Sequence, residues 1–280
     1  MKNEEDNLGK LITSLSEQNY PSELFEIILV DDSSTDNTFS RAKKIIEGKN
    51  NFRIISASKK IMQGKRGALQ VGINSAKHNF ILITDADCTH SKNWIQSMAT
   101  ALSENDFVFG IAPFIQKKSL TNLISCYENF RAFFLMFSLC QLGFPYSSTA
   151  RSLGFRKETF NKINGYDGTD KTISGDDDLL LQKFVMNKKK ISEVTNSFVY
   201  SETKESFKDY INQRGRHTKS SFHYSLETKS ILALWHLVNL LSVFSILFFA
   251  LSINFIFPFL LKIIFDIYST IKQQNKFGYN

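Results

Sequence analysis

The sequence predicts an α/β fold: a mainly parallel sheet flanked by helices, followed by a C-terminal hydrophobic helical segment. Apolar, strand-like runs alternate with helix-like stretches from Phe25 to Ile111, as they do in α/β domains. Several of these runs end directly in polar clusters. The run from Ile231 to Leu261 carries no formal charge and is long enough to cross a bilayer. We therefore divide the chain into an α/β domain, residues 1–225, and a C-terminal membrane segment, residues 226–280.

Hydrophobic periodicity assigns the individual elements. The expected strands are Phe25–Val30, Phe52–Ile55, Ile81–Thr84, Phe107–Ile111 and one within Ile191–Tyr200, and Ser152–Arg156 is expected to be a strand or a turn. The expected helices are Asn7–Asn19, Ala42–Ile46, Ala68–Ala76, Trp94–Leu102, Leu120–Gly143, Lys157–Ile163, Leu179–Met186 and Phe207–Ser221. Within the apolar tail, the pattern is consistent with one membrane span or with a turn near Ser252–Asn254 and a return.

Charge and cysteine content limit the class of function. The chain has 34 Lys and Arg against 27 Asp and Glu, a net charge of +7, without a nucleic-acid-binding motif. Anionic substrates or a membrane surface are therefore the expected partners, rather than nucleic acid. The three cysteines lack metal-ligand spacing, which indicates reduced thiols in the cytosol. The polar, acidic residues that follow Met1 exclude a signal peptide.

Two carboxylates follow the strand-like run Ile81–Thr84. Asp85 and Asp87 are two residues apart, so in an extended chain they project to the same side. Open α/β sheets bind ligands at the carboxyl ends of their strands. Hard oxygen ligands suit Mg²⁺ or Mn²⁺, which can hold a diphosphate. The alternative is that both carboxylates only cap the following turn or helix.

Other polar clusters fit the chemistry of a phosphate-containing ligand. Asp31 and Asp32 end a strand, where they can accept hydrogen bonds from a base or ribose, and Lys65 and Arg66 lie in a glycine-flanked turn that can approach phosphate. The triplet Asp176–Asp178 begins a helix. Three adjacent carboxylates repel one another, which raises a pKa toward that of a general base, whereas the helix dipole opposes this shift. Helix capping would require only one of the three.

In this order and spacing the motifs resemble those of the family 2 glycosyltransferases, which have the GT-A fold. The resemblance extends from Asn3-Glu4-Glu5 through the nucleotide loop Val30–Thr38, Gly64–Leu69, Asp85-Ala86-Asp87 and Gly175–Leu179 to Gln213–His217. It implies Asp177 as the catalytic base, with Asp176 as the alternative, and Asp85 and Asp87 as ligands of a Mg²⁺ or Mn²⁺ cofactor. The implied donor-binding residues are Glu4, Asp32, Lys65, Arg66, Asp85, Gln213 and Arg216.

The resemblance also implies a reaction. It is an inverting transfer of a sugar from a nucleotide-diphosphate sugar, expected to be a UDP-sugar, to a hydroxyl group. The apolar tail suggests a lipid-linked or cell-surface glycan acceptor, an enzyme in the inner membrane and a cytoplasmic catalytic domain. Two alternatives remain: a truncated, non-catalytic remnant that binds a nucleotide sugar, and a soluble nucleotidyltransferase, which predicts no membrane tail.

The sequence departs from the family pattern at two places. His217 occupies the position of the family's final Trp, and only Met1-Lys2 precede the Asn3-Glu4-Glu5 loop, where the family has an apolar strand. We therefore expect a gap in the centre of the sheet, low stability and weak activity for this chain.

Overall fold

The computed structural model describes residues 1–169, 175–204, 206–221, 224–249 and 251–279, without the side chains of 213 and 216–221. The strands are β1 Ile27–Asp31, β2 Phe52–Ser56, β3 Phe80–Ile83, β4 Cys88–His90, β5 Phe107–Ile111, β6 Leu153–Arg156 and β7 Ile191–Ser201. The helices are α1 Leu8–Ser16, α2 Thr38–Ile45, α3 Gly64–Ser75, α4 Trp94–Leu102, α5 Leu120–Gln141, α6 Lys157–Lys162, α7 Asp178–Met186, α8 Phe207–Ser221, α9 Leu226–Phe244 and α10 Ile256–Gln273. The α/β architecture predicted from the sequence is confirmed.

The strands form two separate sheets. β1 and β2 pair in parallel as a two-stranded sheet, and the other strands form a five-stranded sheet in the order β3-β6-β5-β7-β4. In the larger sheet β5 and β7 are parallel, whereas β3–β6, β5–β6 and β4–β7 are antiparallel. The larger sheet is therefore mixed, whereas the smaller sheet is parallel as expected. The alternation of strands and helices predicts crossover connections between parallel strands. It does not predict that β6 runs antiparallel, because the connection before β6 contains the whole of α5 and its loop.

The expected gap in the sheet is present between β1 and β3. A cavity of about 480 Å³ separates the two strands, and every residue of β3 lines it. Helices cover it on both faces: α1 and α4 contribute Leu11, Leu15 and Ile95, and α3 contributes Leu69 and Ile73. Met1 reaches into the gap, where its ammonium donates to Val30 of β1.

The hydrophobic core lies between the five-stranded sheet and its helices. Its centre is aromatic: Phe107 packs against Phe155 and Phe184, and Phe155 stacks on Phe160 at 4.9 Å between ring centroids. Fully buried aromatic rings make large contributions to the stability of such a core. From this aromatic centre the same core extends to Leu29 of β1 and Phe52 of β2.

The beginning of one helix near the predicted site differs from the sequence prediction. Helix α3 begins at Gly64 rather than Ala68, so the basic residues Lys65 and Arg66 lie in its first turn and not in a preceding loop. Tight packing explains the small residue in this turn, because an added Cβ at Gly67 would lie 1.8 Å from the Met62 carbonyl oxygen.

The apolar tail forms a helical hairpin that turns within residues 245–255. Two stretches within the described residues are long and apolar enough to cross a membrane, Leu226–Phe248 and Ile253–Phe277, and both are largely exposed. Polar contacts tie the hairpin to α5: Arg131 donates to Asn239 at 3.0 Å, and Tyr127 donates to Asp266 at 3.3 Å.

The chain returns to the α/β domain after α10. Phe277 is buried among the rings of Phe130, Phe133 and Phe137. The Tyr279 hydroxyl donates to the Asn129 side chain at 2.6 Å and accepts from the backbone amide of Phe114 at 3.0 Å. The division at residue 225 remains a prediction from composition, and the last residues described pack with the first of the two segments.

Candidate active site

The Asp-X-Asp motif lies just beyond the carboxyl end of β3. Asp85 and Asp87 both line a second cavity, about 360 Å³ in volume, on the side of the sheet covered by α5. Asp177 and Asp178 line the same cavity from the beginning of α7. The structure thus brings together two acidic motifs that are separated by about ninety residues in the sequence.

Lys65 joins these motifs from the first turn of α3. Its ammonium donates to Asp85 Oδ1 at 2.6 Å and lies 3.2 Å from Asp176 Oδ2. Burial works to lower the pKa of Lys65, but the Asp85 and Asp176 carboxylates more than offset it and hold this pKa well above its usual value. Burial likewise works to raise the pKa of Asp85, and Lys65 reverses the shift, so that the carboxyl stays ionised.

The three carboxylates of the triplet have different partners. Asp177 accepts the backbone amides of Ala150 and Asp178, each at 2.9 Å. Asp178 accepts from Ser147 Oγ at 2.7 Å and from the Tyr224 hydroxyl, whereas Asp176 pairs with Lys65. Burial, and then the neighbouring Asp178 and Asp176 carboxylates, raise the pKa of Asp177 well above its usual value. A raised pKa makes the ionised carboxylate a stronger base.

The loops after β1 and before α1 pack on each other. Glu4 donates its backbone amide to Thr38 Oγ1 at 2.8 Å, and its carboxylate accepts from the Asn7 side chain at 2.7 Å. Asp31 accepts from Ser34 Oγ at 2.6 Å, and Asp32 forms an ion pair with Lys60. These contacts hold the predicted nucleotide loop against the Asn3-Glu4-Glu5 loop at the carboxyl end of β1.

Arg66 differs from Lys65 in its surroundings. Its side chain is buried, and Nη1 has no hydrogen-bond partner within the described part of the chain. A buried guanidinium with an unsatisfied N–H is a site of positive potential that favours an anion. Its position in the first turn of α3 agrees with a role near phosphate.

Sequence reasoning did not assign Arg151 or Glu128 to the site. Arg151 lines the cavity, donates to Ser201 Oγ at 2.7 Å and lies over the Phe114 ring at 4.5 Å. Glu128 of α5 pairs with Arg214 of α8 at 2.7 Å and accepts from the Tyr210 hydroxyl. The only sign of this contact in the sequence is that the charged Glu128 interrupts an otherwise apolar helix pattern.

Two predicted residues cannot be placed, because the side chains of Gln213 and Arg216 lie outside the described structure. Within the described residues no group of three or more acidic, His or Cys side chains could enclose a metal ion. Asp85 and Asp87 nevertheless fit Mg²⁺ or Mn²⁺, since such ions are commonly held by one or two carboxylates together with substrate phosphates and water.

The fold and this site define a class of protein, the GT-A-type glycosyltransferases. The sequence profile of glycosyl transferase family 2 matches residues 1–160, so the chain belongs to that family. Dodecaprenyl-phosphate galacturonate synthase of Rhizobium johnstonii is 32% identical over 108 residues, which are 37% of this chain and 31% of that protein.

Solved structures support the fold. A mannosyltransferase from Pyrobaculum calidifontis in complex with GDP-Man and Mn²⁺ matches with a TM-score of 0.62 and 16% identity, over 79% of this chain and 62% of that one. Staphylococcus aureus TarS 1–349 in complex with UDP-GlcNAc matches with a TM-score of 0.54 and 20% identity, over 74% and 57%. The chain thus spans less than two thirds of the length of each of these proteins.

Proposed function

We propose that this protein is an inverting glycosyltransferase that moves a sugar from a UDP-sugar to a hydroxyl group of a cell-surface polysaccharide or glycolipid. One observation carries the proposal. The carboxylates Asp85 and Asp87, suited to a metal diphosphate, line the same cavity as Asp177, a carboxyl whose pKa is raised by burial and by its acidic neighbours. A transferase needs these two functions within reach of each other.

The donor end of the site is the carboxyl edge of β1 and β3. Asp32 and the loop that follows it accept hydrogen bonds from the nucleoside, and Glu4 holds this loop in place through Thr38. Lys65 and Arg66 supply positive charge at the first turn of α3. Asp85 and Asp87 would hold a divalent cation, Mg²⁺ or Mn²⁺, which neutralises charge on the diphosphate as the bond to the sugar breaks. Gln213 and Arg216 are assigned to the leaving diphosphate by the family resemblance.

The acceptor end of the site is the beginning of α7. Asp177 takes the proton of the acceptor hydroxyl, whose oxygen attacks the anomeric carbon on the face opposite the departing diphosphate. This single displacement inverts the configuration. Ala150 and the Asp178 amide fix the carboxylate in place, so that its orientation is set before the acceptor arrives.

The helical hairpin suggests where the acceptor lies. Its apolar side chains are largely exposed, and residues on both sides of it pack on the α/β domain: Tyr224 bonds to Asp178 and Phe277 enters the aromatic core. A hairpin inserted into the bilayer from one side leaves both ends on that side. We therefore place the protein in the inner membrane, with the catalytic domain at its cytoplasmic surface, where it meets a lipid-linked or membrane-held glycan.

A screen of nucleotide sugars tests the function. Thermal unfolding of the full chain in detergent, with Mn²⁺ and a panel of UDP- and GDP-sugars, should show a rise in melting temperature for the donor and for its nucleoside diphosphate. Release of the nucleoside diphosphate then identifies turnover. A chain that binds its nucleotide sugar but never releases the diphosphate, with any acceptor preparation, would be a non-catalytic remnant.

A further inference from the structure

Arg151 lines the catalytic cavity as a half-buried cation. Its Nη1 donates to Ser201 Oγ at 2.7 Å, and its guanidinium lies over the Phe114 ring, 4.5 Å from the ring centroid. Within the described part of the chain it forms no ion pair with a carboxylate. A guanidinium has five N–H donors in a planar fork, so the bond to Ser201 leaves most of them available to a ligand.

Carboxylates that line the same cavity already have cationic partners. Asp85 pairs with Lys65 at 2.6 Å, and Glu128 pairs with Arg214 at 2.7 Å. Neither pair neutralises the charge of Arg151. A half-buried charge has lost part of its hydration, and a ligand of opposite charge can compensate for that loss.

The backbone of Arg151 lies between the metal motif and the proposed base. Thr84, which directly precedes Asp85, donates its hydroxyl to the Arg151 carbonyl at 2.8 Å. On the other side, the amide of Ala150 donates to the Asp177 carboxylate at 2.9 Å. Arg151 is therefore attached to both groups that the proposed reaction uses.

The side chain of Arg151 extends toward the end of the metal motif. Its partner Ser201 lies opposite Cys88 in the ladder between β4 and β7, and Cys88 directly follows Asp87. Neighbouring strands are only about 5 Å apart. A ligand anion next to Asp87 would thus have a second positively charged group close to it.

We propose that Arg151 binds a phosphate group of the substrate in this cavity, next to the metal site. The inference rests on the proposed function for its two possible sources of phosphate, the diphosphate of the donor and the phosphate that joins a lipid-linked acceptor to its lipid. A guanidinium binds phosphate through two parallel hydrogen bonds. Ser201 and Phe114 hold the side chain in place before the ligand arrives, which reduces the entropic cost of binding.

Two matched pairs of probes isolate the phosphate contact. The full chain in detergent with Mn²⁺ is titrated with UDP and uridine, and with farnesyl phosphate and farnesol. Arg151→Gln should weaken the binding of a phosphate compound by about tenfold or more, without a matching loss for the partner that lacks phosphate. Weakened UDP binding assigns the phosphate to the donor. Weakened binding of farnesyl phosphate with unchanged UDP binding assigns it to the acceptor.

Two further variants separate binding from folding and from net charge. Arg151→Lys keeps the positive charge and should retain more phosphate affinity than Arg151→Gln. Lys162→Gln removes an exposed charge on α6, outside the cavity, and should leave both affinities unchanged. Thermal unfolding without ligand is measured for each variant. If the Lys and Gln variants of Arg151 lose the same affinity and the same melting temperature, the residue is only structural and the proposal is overturned.

The inference and the proposed function can fail separately. Wild-type affinity of Arg151→Gln for both UDP and farnesyl phosphate would overturn the role of Arg151 and leave the glycosyltransferase function intact. A wild-type chain that binds neither phosphate compound would contradict both.

Discussion

Lys65 and Asp85 form an ion pair at 2.6 Å that connects the first turn of α3 to the metal-type motif after β3. The ammonium of Lys65 also pairs with Asp176. This one side chain therefore links the Asp-X-Asp motif to the acidic triplet. Binding of a divalent cation at Asp85 would compete with this pair. In the proposed metal complex, Lys65 would then be released toward the diphosphate.

Asp177 is the first residue to test. Replacing Asp177 with Asn should leave binding of the nucleoside diphosphate almost unchanged and reduce turnover by about 100-fold or more, because the acceptor hydroxyl loses its base. Since the pKa of Asp177 is raised, the rate of the wild-type protein should increase with pH through a limb that lies above the usual range of an aspartate. Glu104→Gln, at an exposed position outside the cavity, is the control for the loss of one negative charge. If Asp176→Asn instead loses turnover while it still binds the nucleoside diphosphate, the base is Asp176 and the assignment of Asp177 is wrong.

His90 should make stability depend on pH. Its imidazole is buried between Thr84 and Ser14, and burial lowers its pKa to about 3. In the unfolded chain the pKa is about 6.5, so below that pH the unfolded state binds more protons and the free energy of unfolding falls. At pH 5 the loss from this group is about 2 kcal/mol, and it stops growing below about pH 3. Denaturant titration should show a flatter pH dependence in His90→Gln and no such change in His78→Gln, a substitution at an exposed position. Parallel curves for wild type and His90→Gln would refute this.

Phe277 should matter for stability although it follows the apolar hairpin. It is buried among three rings of α5, so Phe277→Ala should lower the free energy of unfolding by about 3–5 kcal/mol. Phe257→Ala, at an exposed position of α10, should change it by less than about 0.5 kcal/mol in detergent. Equal effects of the two substitutions would show that the chain after α10 does not dock on the domain.

Membrane association is best tested at the tip of the hairpin. Deleting the hairpin would also remove Phe277 and Tyr279 from the domain, so loss of membrane binding could then reflect misfolding. Replacing the exposed Leu247, Leu251 and Ile253 by aspartate avoids this problem. The folded variant should leave the membrane fraction. As a control, replacing three exposed serines of the α/β domain by aspartate should not change membrane association. Release of the wild-type protein by alkaline carbonate would show that the hairpin lies on the membrane without inserting.

Much of this structure could be predicted from the sequence because its signals are local. The carboxylates of Asp85 and Asp87 follow an apolar run directly, and the Asp176–Asp178 triplet precedes a helical pattern, so both motifs were placed correctly on their elements. A gap in the centre of the sheet was foreseen, and it lies between β1 and β3. The direction of β6 was not, since strand polarity depends on the path of a long connection and leaves no periodic mark.

Contacts between distant segments account for the remainder. Arg151 is one arginine in a loop, and only the fold brings it to Ser201 and Phe114. Phe277 returns to α5 because the apolar tail turns back on itself. The sequence does not mark this turn, since the centre of the apolar run contains neither proline nor glycine. Both contacts result from the packing of whole helices and strands, and residue spacing in the sequence does not predict them.

Metal-dependent binding of UDP tests the central claim most directly. Calorimetric titration of the full chain with UDP in the presence of Mn²⁺ should give a saturable signal that chelation abolishes. Asp87→Asn should weaken this binding by about tenfold or more, roughly 1.4 kcal/mol, while Glu104→Gln, at an exposed position at the end of α4, should leave it unchanged. Undiminished Mn²⁺-dependent binding in Asp87→Asn, or wild-type binding that does not respond to the metal, would contradict the assignment of Asp85 and Asp87 as the metal site.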